Sequence, residues 1–127
     1  MSYIRFATAI NCMDGRVQVP VIEHIRNKYE VDYVDMPTLP GPDKVLAEGK
    51  DTSTLESIKK YVDLSVNRHG STLVAICGHY DCAGNPVDRE VHIKQIREAK
   101  NVLKSWFSEL HVIGLWINQN WEVEEVK

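Results

Sequence analysis

Apolar residues are spaced along this chain in two ways. Runs that are nearly continuous, or that alternate with polar residues, occupy residues 4–12, 31–36, 71–77, 111–117 and 121–127, which is the length and pattern of β-strands. Between them, apolar residues recur three and four apart, the period of one helix face. Val21, Ile22, Ile25 and Tyr29 form one such face behind Val19 and Pro20, with the proline in a first turn where its N–H has no helical partner to lose. Leu55, Ile58, Val62 and Val66 form a second, opened by Ser53-Thr54-Leu55-Glu56 in capping-box form and stopped at His69-Gly70. Ile93, Ile96, Val102, Leu103, Trp106 and Phe107 form the third and broadest, behind a start signal at Asn85-Pro86-Val87-Asp88 with Asn85 as the cap. Residues 37–42 hold three prolines and predict a stiff loop without regular structure, and residues 118–120 predict a turn.

The resulting order, βαβαβαββ, predicts an α/β fold: a mainly parallel sheet of about four strands flanked by helices, with a C-terminal antiparallel hairpin strand. Its 127 residues are enough to bury a core without disulfides, so residues 1–127 are read as a single domain. Composition narrows the function. A hydrophobic share of 43% with 26% charged residues is that of a soluble globular protein. The net charge of -3, with neither sign gathered into a block, argues against nucleic acid as a partner. Without a signal-peptide core or an apolar run near 18 residues, neither export nor membrane insertion is expected, and a cytoplasmic protein is. Three cysteines make an odd number, which favours metal binding or burial over a disulfide framework.

Two of the predicted strands end in residues that bind metals. The run Leu73-Val74-Ala75-Ile76-Cys77 stops at Gly78-His79-Tyr80-Asp81-Cys82, where Gly78 is read as the point at which the backbone turns to present His79 and Cys82 together. Residues 6–10 lead likewise into Asn11-Cys12-Met13-Asp14-Gly15-Arg16. Adjacent parallel strands bring their carboxyl ends to one edge, the place where open α/β sheets build sites. Cys12, His79 and Cys82 would supply three of the nitrogen and sulfur donors that zinc takes in a tetrahedron, and soft thiolates disfavour magnesium and calcium. Asp14, two residues beyond Cys12, points the same way in an extended segment and is the natural fourth ligand. Arg16, two residues further, can hold the Asp14 carboxylate with its planar fork instead. The pair is therefore read as a switch between a closed zinc site and one with water in the fourth position.

Cys12-x-Asp14-x-Arg16, followed some sixty residues later by Gly78-His79-x-x-Cys82, resembles the β-class carbonic anhydrases across the whole chain. The resemblance implies a zinc enzyme that hydrates carbon dioxide reversibly to bicarbonate, with Cys12, His79 and Cys82 as ligands and Asp14 with Arg16 as the catalytic dyad. It also implies a homodimer or a multiple of dimers, with the site near the subunit interface. Residues 36–42 stand where that family carries an Arg-Asn-x-Gly loop lining the pocket, and only Gly41 corresponds to it. Tyr80 and Ala83 replace a small hydroxyl residue and a glycine.

Other functions compete with this one. A related zinc hydrolase acting on carbonyl sulfide or carbon disulfide needs the same centre, and a non-catalytic closed zinc-binding domain needs only the ligands. A cysteine hydrolase using Cys12 and His79 leaves Cys82 without a role. Cys77 is read as a core residue. Asp81 is read as an exposed turn residue or an acceptor orienting His79. His24, His69, His92 and His111 are read as solvated positions, one of which could relay protons, and Trp106, Trp116 and Trp121 as packing or dimer contacts.

Overall fold

The computed structural model describes residues 4–127. The chain runs through β1 (Phe6–Cys12), a 3-10 turn (Gly15–Val17), α1 (Gln18–Tyr29), β2 (Tyr33–Asp35), β3 (Thr38–Leu39), α2 (Pro42–Glu48), α3 (Thr52–His69), β4 (Leu73–His79), α4 (Arg89–Trp106), β5 (His111–Ile117) and β6 (Val123–Val126). The sheet order is β2-β1-β4-β5-β6, with the short β3 pairing the end of β1 beyond β2. All neighbours are parallel except β5 and β6, which form the antiparallel hairpin.

The pleat divides the core in two. Ala7, Ala9, Leu73, Ala75 and Cys77 face Val21 and Ile25 of α1 on one side of the sheet. Ile10, Val74 and Ile76 face Leu46, Ile58, Val62, Ile96 and Leu103 of α2, α3 and α4 on the other. Because both faces are covered, β4 is buried along its whole length, which is why it reads as an unbroken apolar run. Among the described residues, no helix is long and apolar enough to cross a membrane.

Several boundaries differ from expectation, each for a local reason. Residues 37–42 are not free of regular structure: Thr38 and Leu39 pair with Asn11 and Cys12. Proline loses its N–H but keeps its carbonyl, and here the Asn11 amide donates to the Pro37 carbonyl at 3.0 Å and the Met13 amide to that of Leu39 at 3.2 Å. Pro42 then occupies the start of α2, a helix too short to show a period in the sequence. The cap of α3 is Asp51, whose carboxylate accepts from the Thr54 amide, rather than the Ser53 box. The cap of α4 is Asp88 and not Asn85, because the Asn85 side chain is turned inward and engaged elsewhere. Gly78 makes no turn either. It stays in the ladder opposite Trp116, and the reversal follows at Tyr80 and at Asp81, whose φ is 57°.

Candidate metal centre

β1 and β4 are hydrogen-bonded neighbours that run the same way, so Cys12 and His79, the last residue of each, emerge at one edge of the sheet. The turn after β4 brings Cys82 back beside them. The Sγ atoms of Cys12 and Cys82 are 3.9 Å apart, and with one ring nitrogen of His79 they form a group whose members all lie within 4.8 Å of one another. All three residues are buried, at 4%, 1% and 4% exposure for Cys12, His79 and Cys82.

His79 has a defined tautomer. Its Nδ1 lies 2.8 Å from the Tyr80 carbonyl oxygen, which can only accept, so Nδ1 carries the hydrogen and, in the neutral ring, Nε2 carries the lone pair. Nε2 is buried and has no hydrogen-bond partner among the described residues. A buried polar atom left unpaired is costly, and a cation between the two sulfurs would satisfy it. Two sulfurs on a tetrahedral zinc at 2.3 Å are about 3.8 Å apart, close to the separation found here. The donor set therefore fits zinc.

The two thiols share one hydrogen bond. A hydrogen bond donated by the Cys82 thiol draws the Cys12 thiol far below its ordinary range against the opposing effect of burial, and the neighbouring His79 ring and main chain at Gly41 and Asp14 lower it further. Cys82 moves the other way, because it holds the proton shared with Cys12 and because it is buried, although the amides of Gly84 and Asn85 oppose the rise. For His79, burial favours the neutral ring, but Cys12 and the Tyr80 carbonyl outweigh it and the net shift is upward. Cys77 sits apart in the core, where burial pushes its thiol up.

Asp14 lies beside this group but faces Arg16. Arg16 Nε donates to Asp14 Oδ1 at 3.0 Å and Nη2 to Oδ2 at 2.7 Å, while the Arg16 amide also donates to Oδ1 at 2.9 Å. These bonds, Arg16's side chain first, bring the Asp14 carboxyl down to about 2. Arg16 is held in turn by Asp81, through the carboxylate at 3.3 Å and the main-chain oxygen at 3.2 Å, and by the Trp121 ring. Asp81 is exposed, as one sequence reading has it, and its carboxylate serves Arg16; His79 is oriented by the Tyr80 carbonyl instead. A cleft of about 510 Å³ lined by Tyr80, Cys82, Val87, Trp116 and Gln119 opens beside the ligands.

Under the site lie three residues, of which the sequence pattern gave no sign of Asp43 and assigned Asn85 and His92 to a helix cap and a solvated position. Asp43, Asn85 and His92 are buried and bonded to one another. The expectation that His92 is solvated fails because Asp43, 49 residues away, meets it beneath β4. A hint was present: His92 is four residues before Ile96, on the apolar stripe of α4.

The profile of a family described as "Putative carbonic anhydrase" matches residues 2–127. No curated protein matches the sequence. Among solved structures, the chain is similar to a carbonic anhydrase from Streptococcus mutans at 15% identity and a TM-score of 0.66, covering 100% of this chain and 86% of that one. It is also similar to β-carbonic anhydrase isoform I of Trichomonas vaginalis, at 14% identity and 0.63, covering 99% and 87%. A carbonic anhydrase from Glaciozyma antarctica matches at 14% and 0.61, covering 95% and 81%. At such identities the likeness is one of fold, and that fold is the one the sequence pattern predicts.

Proposed function

Because this chain belongs to the carbonic anhydrase family, we propose that it hydrates carbon dioxide reversibly to bicarbonate, with zinc held by Cys12, His79 and Cys82. The observation that carries the proposal is the unpartnered His79 Nε2, buried in one group with two thiols whose sulfurs stand at a zinc-like separation. Bound there, zinc supplies a water acidic enough to act as a nucleophile near neutral pH. The two thiolates cancel the charge of the ion, so a third anionic ligand would make the centre a poorer acid. Arg16 prevents this by keeping the Asp14 carboxylate in its fork. From there Asp14 can accept a hydrogen bond from the attacking oxygen and fix the direction of its lone pair.

Assembly into a dimer or larger oligomer belongs to the same proposal. Related β-carbonic anhydrases of Sordaria macrospora, similar in fold at 13% identity and a TM-score of 0.50, are tetrameric. Tyr61 and Leu64, both exposed, lie beside Met36 and Pro37 in an apolar hollow that a second copy would cover.

The test is stopped-flow carbon dioxide hydration on zinc-loaded protein across about pH 7 to 9, with Asp14→Ala and Cys82→Ser alongside. A zinc-dependent rate lost in both variants supports the ligand set and the dyad together. No rate at any pH, with one zinc firmly held per chain, removes the hydratase and leaves carbonyl sulfide or carbon disulfide hydrolysis, or a closed structural site.

A further inference from the structure

Beneath the ligand loops lies a buried polar cluster that takes no part in the proposed chemistry. Asp43, in the first turn of α2, is 0% exposed and His92 of α4 is 1% exposed. His92 Nδ1 and Asp43 Oδ2 are 2.6 Å apart. Asp43 Oδ1 accepts from Asn85 Nδ2 at 3.2 Å and from the Lys44 amide at 3.0 Å, and Asn85 Nδ2 also donates to Gln95 Oε1 at 2.7 Å. Burying a carboxylate is expensive, and the bonds from His92, Asn85 and the Lys44 amide offset it.

The cluster joins the loops that touch the ligands. Gly41, two residues before Asp43, lies just beyond β3, whose Leu39 pairs with Cys12. On the other loop, the Asn85 amide donates to the Cys82 carbonyl at 3.3 Å. The two loops are in close contact: a Cβ on Gly41 would lie 2.9 Å from the Gly84 carbonyl oxygen, and one on Gly84 only 2.6 Å from Pro40 Cβ. The pair also presses on the strand that carries the third ligand. A Cβ on Gly78, immediately before His79, would meet Asp43 Oδ2 at 2.5 Å and His92 Nδ1 at 3.1 Å.

We propose that Asp43, Asn85 and His92 are positioning residues for the metal centre, a clamp that locks the Gly41 and Gly84 loops so that Cys12 and Cys82 keep their sulfurs 3.9 Å apart. The inference rests on the reading of Cys12, His79 and Cys82 as metal ligands. Groups that hold the segments bearing the ligands fix where the two sulfurs stand and how they point, so they tune both the affinity of the site and the donation that the ion receives. Groups of this kind typically change metal affinity by about 10- to 100-fold when removed. Asn85 is the bridge, since it belongs to one loop and bonds the carboxylate at the root of the other.

The experiment measures zinc and cobalt(II) dissociation constants by chelator competition, and the thiolate-to-cobalt charge-transfer band, for wild type, Asn85→Ala, Asp43→Ala and the double variant. Ile58→Ala, a core change in α3, serves as the control for lost stability. The expected result is a dissociation constant raised about tenfold or more and a displaced band in each single variant, with the double variant no worse than the weaker-binding single because the two act as one clamp. Ile58→Ala should lower the melting temperature yet leave affinity and band unchanged. Affinity within twofold of wild type in Asn85→Ala, or an equal loss in Ile58→Ala, overturns the clamp while the ligand reading stands. A wild type that binds neither metal overturns both.

Discussion

The guanidinium carbon of Arg16 lies 4.5 Å from the centre of the Trp121 ring. The arginine that holds Asp14 is thus itself held by a residue from the turn into the last strand, far away in sequence. Trp121 adopts a φ of 60°, a left-handed conformation unusual for a bulky residue, while its amide donates to the Asn118 carbonyl at 2.9 Å. A half-exposed cation–π contact contributes about 0.5–1 kcal/mol. Trp121→Ala should therefore lower kcat/KM for carbon dioxide hydration by roughly two- to fivefold, and Trp121→Phe should recover most of it, as read by stopped-flow assay.

Arg16→Gln tests the partner directly. Without the fork, the Asp14 carboxylate is free to turn toward the ligand group, and hydration should fall by about 100-fold or more. Zinc content by atomic absorption should remain one per chain. Adding Asp14→Asn should cost little beyond the first change, since the pair acts as a unit. Unchanged activity in Arg16→Gln would remove the dyad from the mechanism.

The three cysteines should separate cleanly. Cys12→Ser and Cys82→Ser should each lose the metal, whereas Cys77→Ser should keep it and lose about 1–3 kcal/mol of stability from burying a hydroxyl in an apolar site. With its thiol pushed up by burial, Cys77 should also resist iodoacetamide in the native protein. Mass spectrometry of alkylated protein reads this out.

Part of the acid sensitivity should come from Glu125, which ties β6 to α1 through Lys28 at 2.7 Å and His24 and Tyr29 at 2.9 Å. Burial opposes ionisation there, but Lys28, His24 and Tyr29 together hold the carboxyl below its usual 4.5. The unfolded chain thus binds this proton more readily than the folded one. The stabilisation is complete above the ordinary carboxylate range and is lost as pH falls through the lower folded value. Glu125→Gln should cost about 1 kcal/mol at pH 7, since Lys28 is half exposed, and should flatten the acid limb of stability in urea titrations.

Gly78→Ala should destabilise by about 1–3 kcal/mol, because the added methyl meets Asp43 and His92. Denaturant melts of the variant check this, and an unperturbed midpoint would show that the pair has room to yield.

Much of this molecule is legible in its sequence, and the reason is that hydrophobic period is a local property. The β5 span agrees residue for residue with residues 111–117, and the apolar faces of α1, α3 and α4 are the ones that pack on the sheet. Cys12, His79 and Cys82 could be picked out by donor type and spacing at the ends of apolar runs, since neighbouring parallel strands end at one edge. Tertiary structure alone decided what depends on which loops meet. It put Trp121 under the Arg16 guanidinium, let Thr38 and Leu39 pair with β1 through carbonyls that proline does not remove, and buried His92 against Asp43. A polar side chain pairs with whatever the fold brings within about 3 Å, and partners tens of residues apart leave no mark on the pattern around either one.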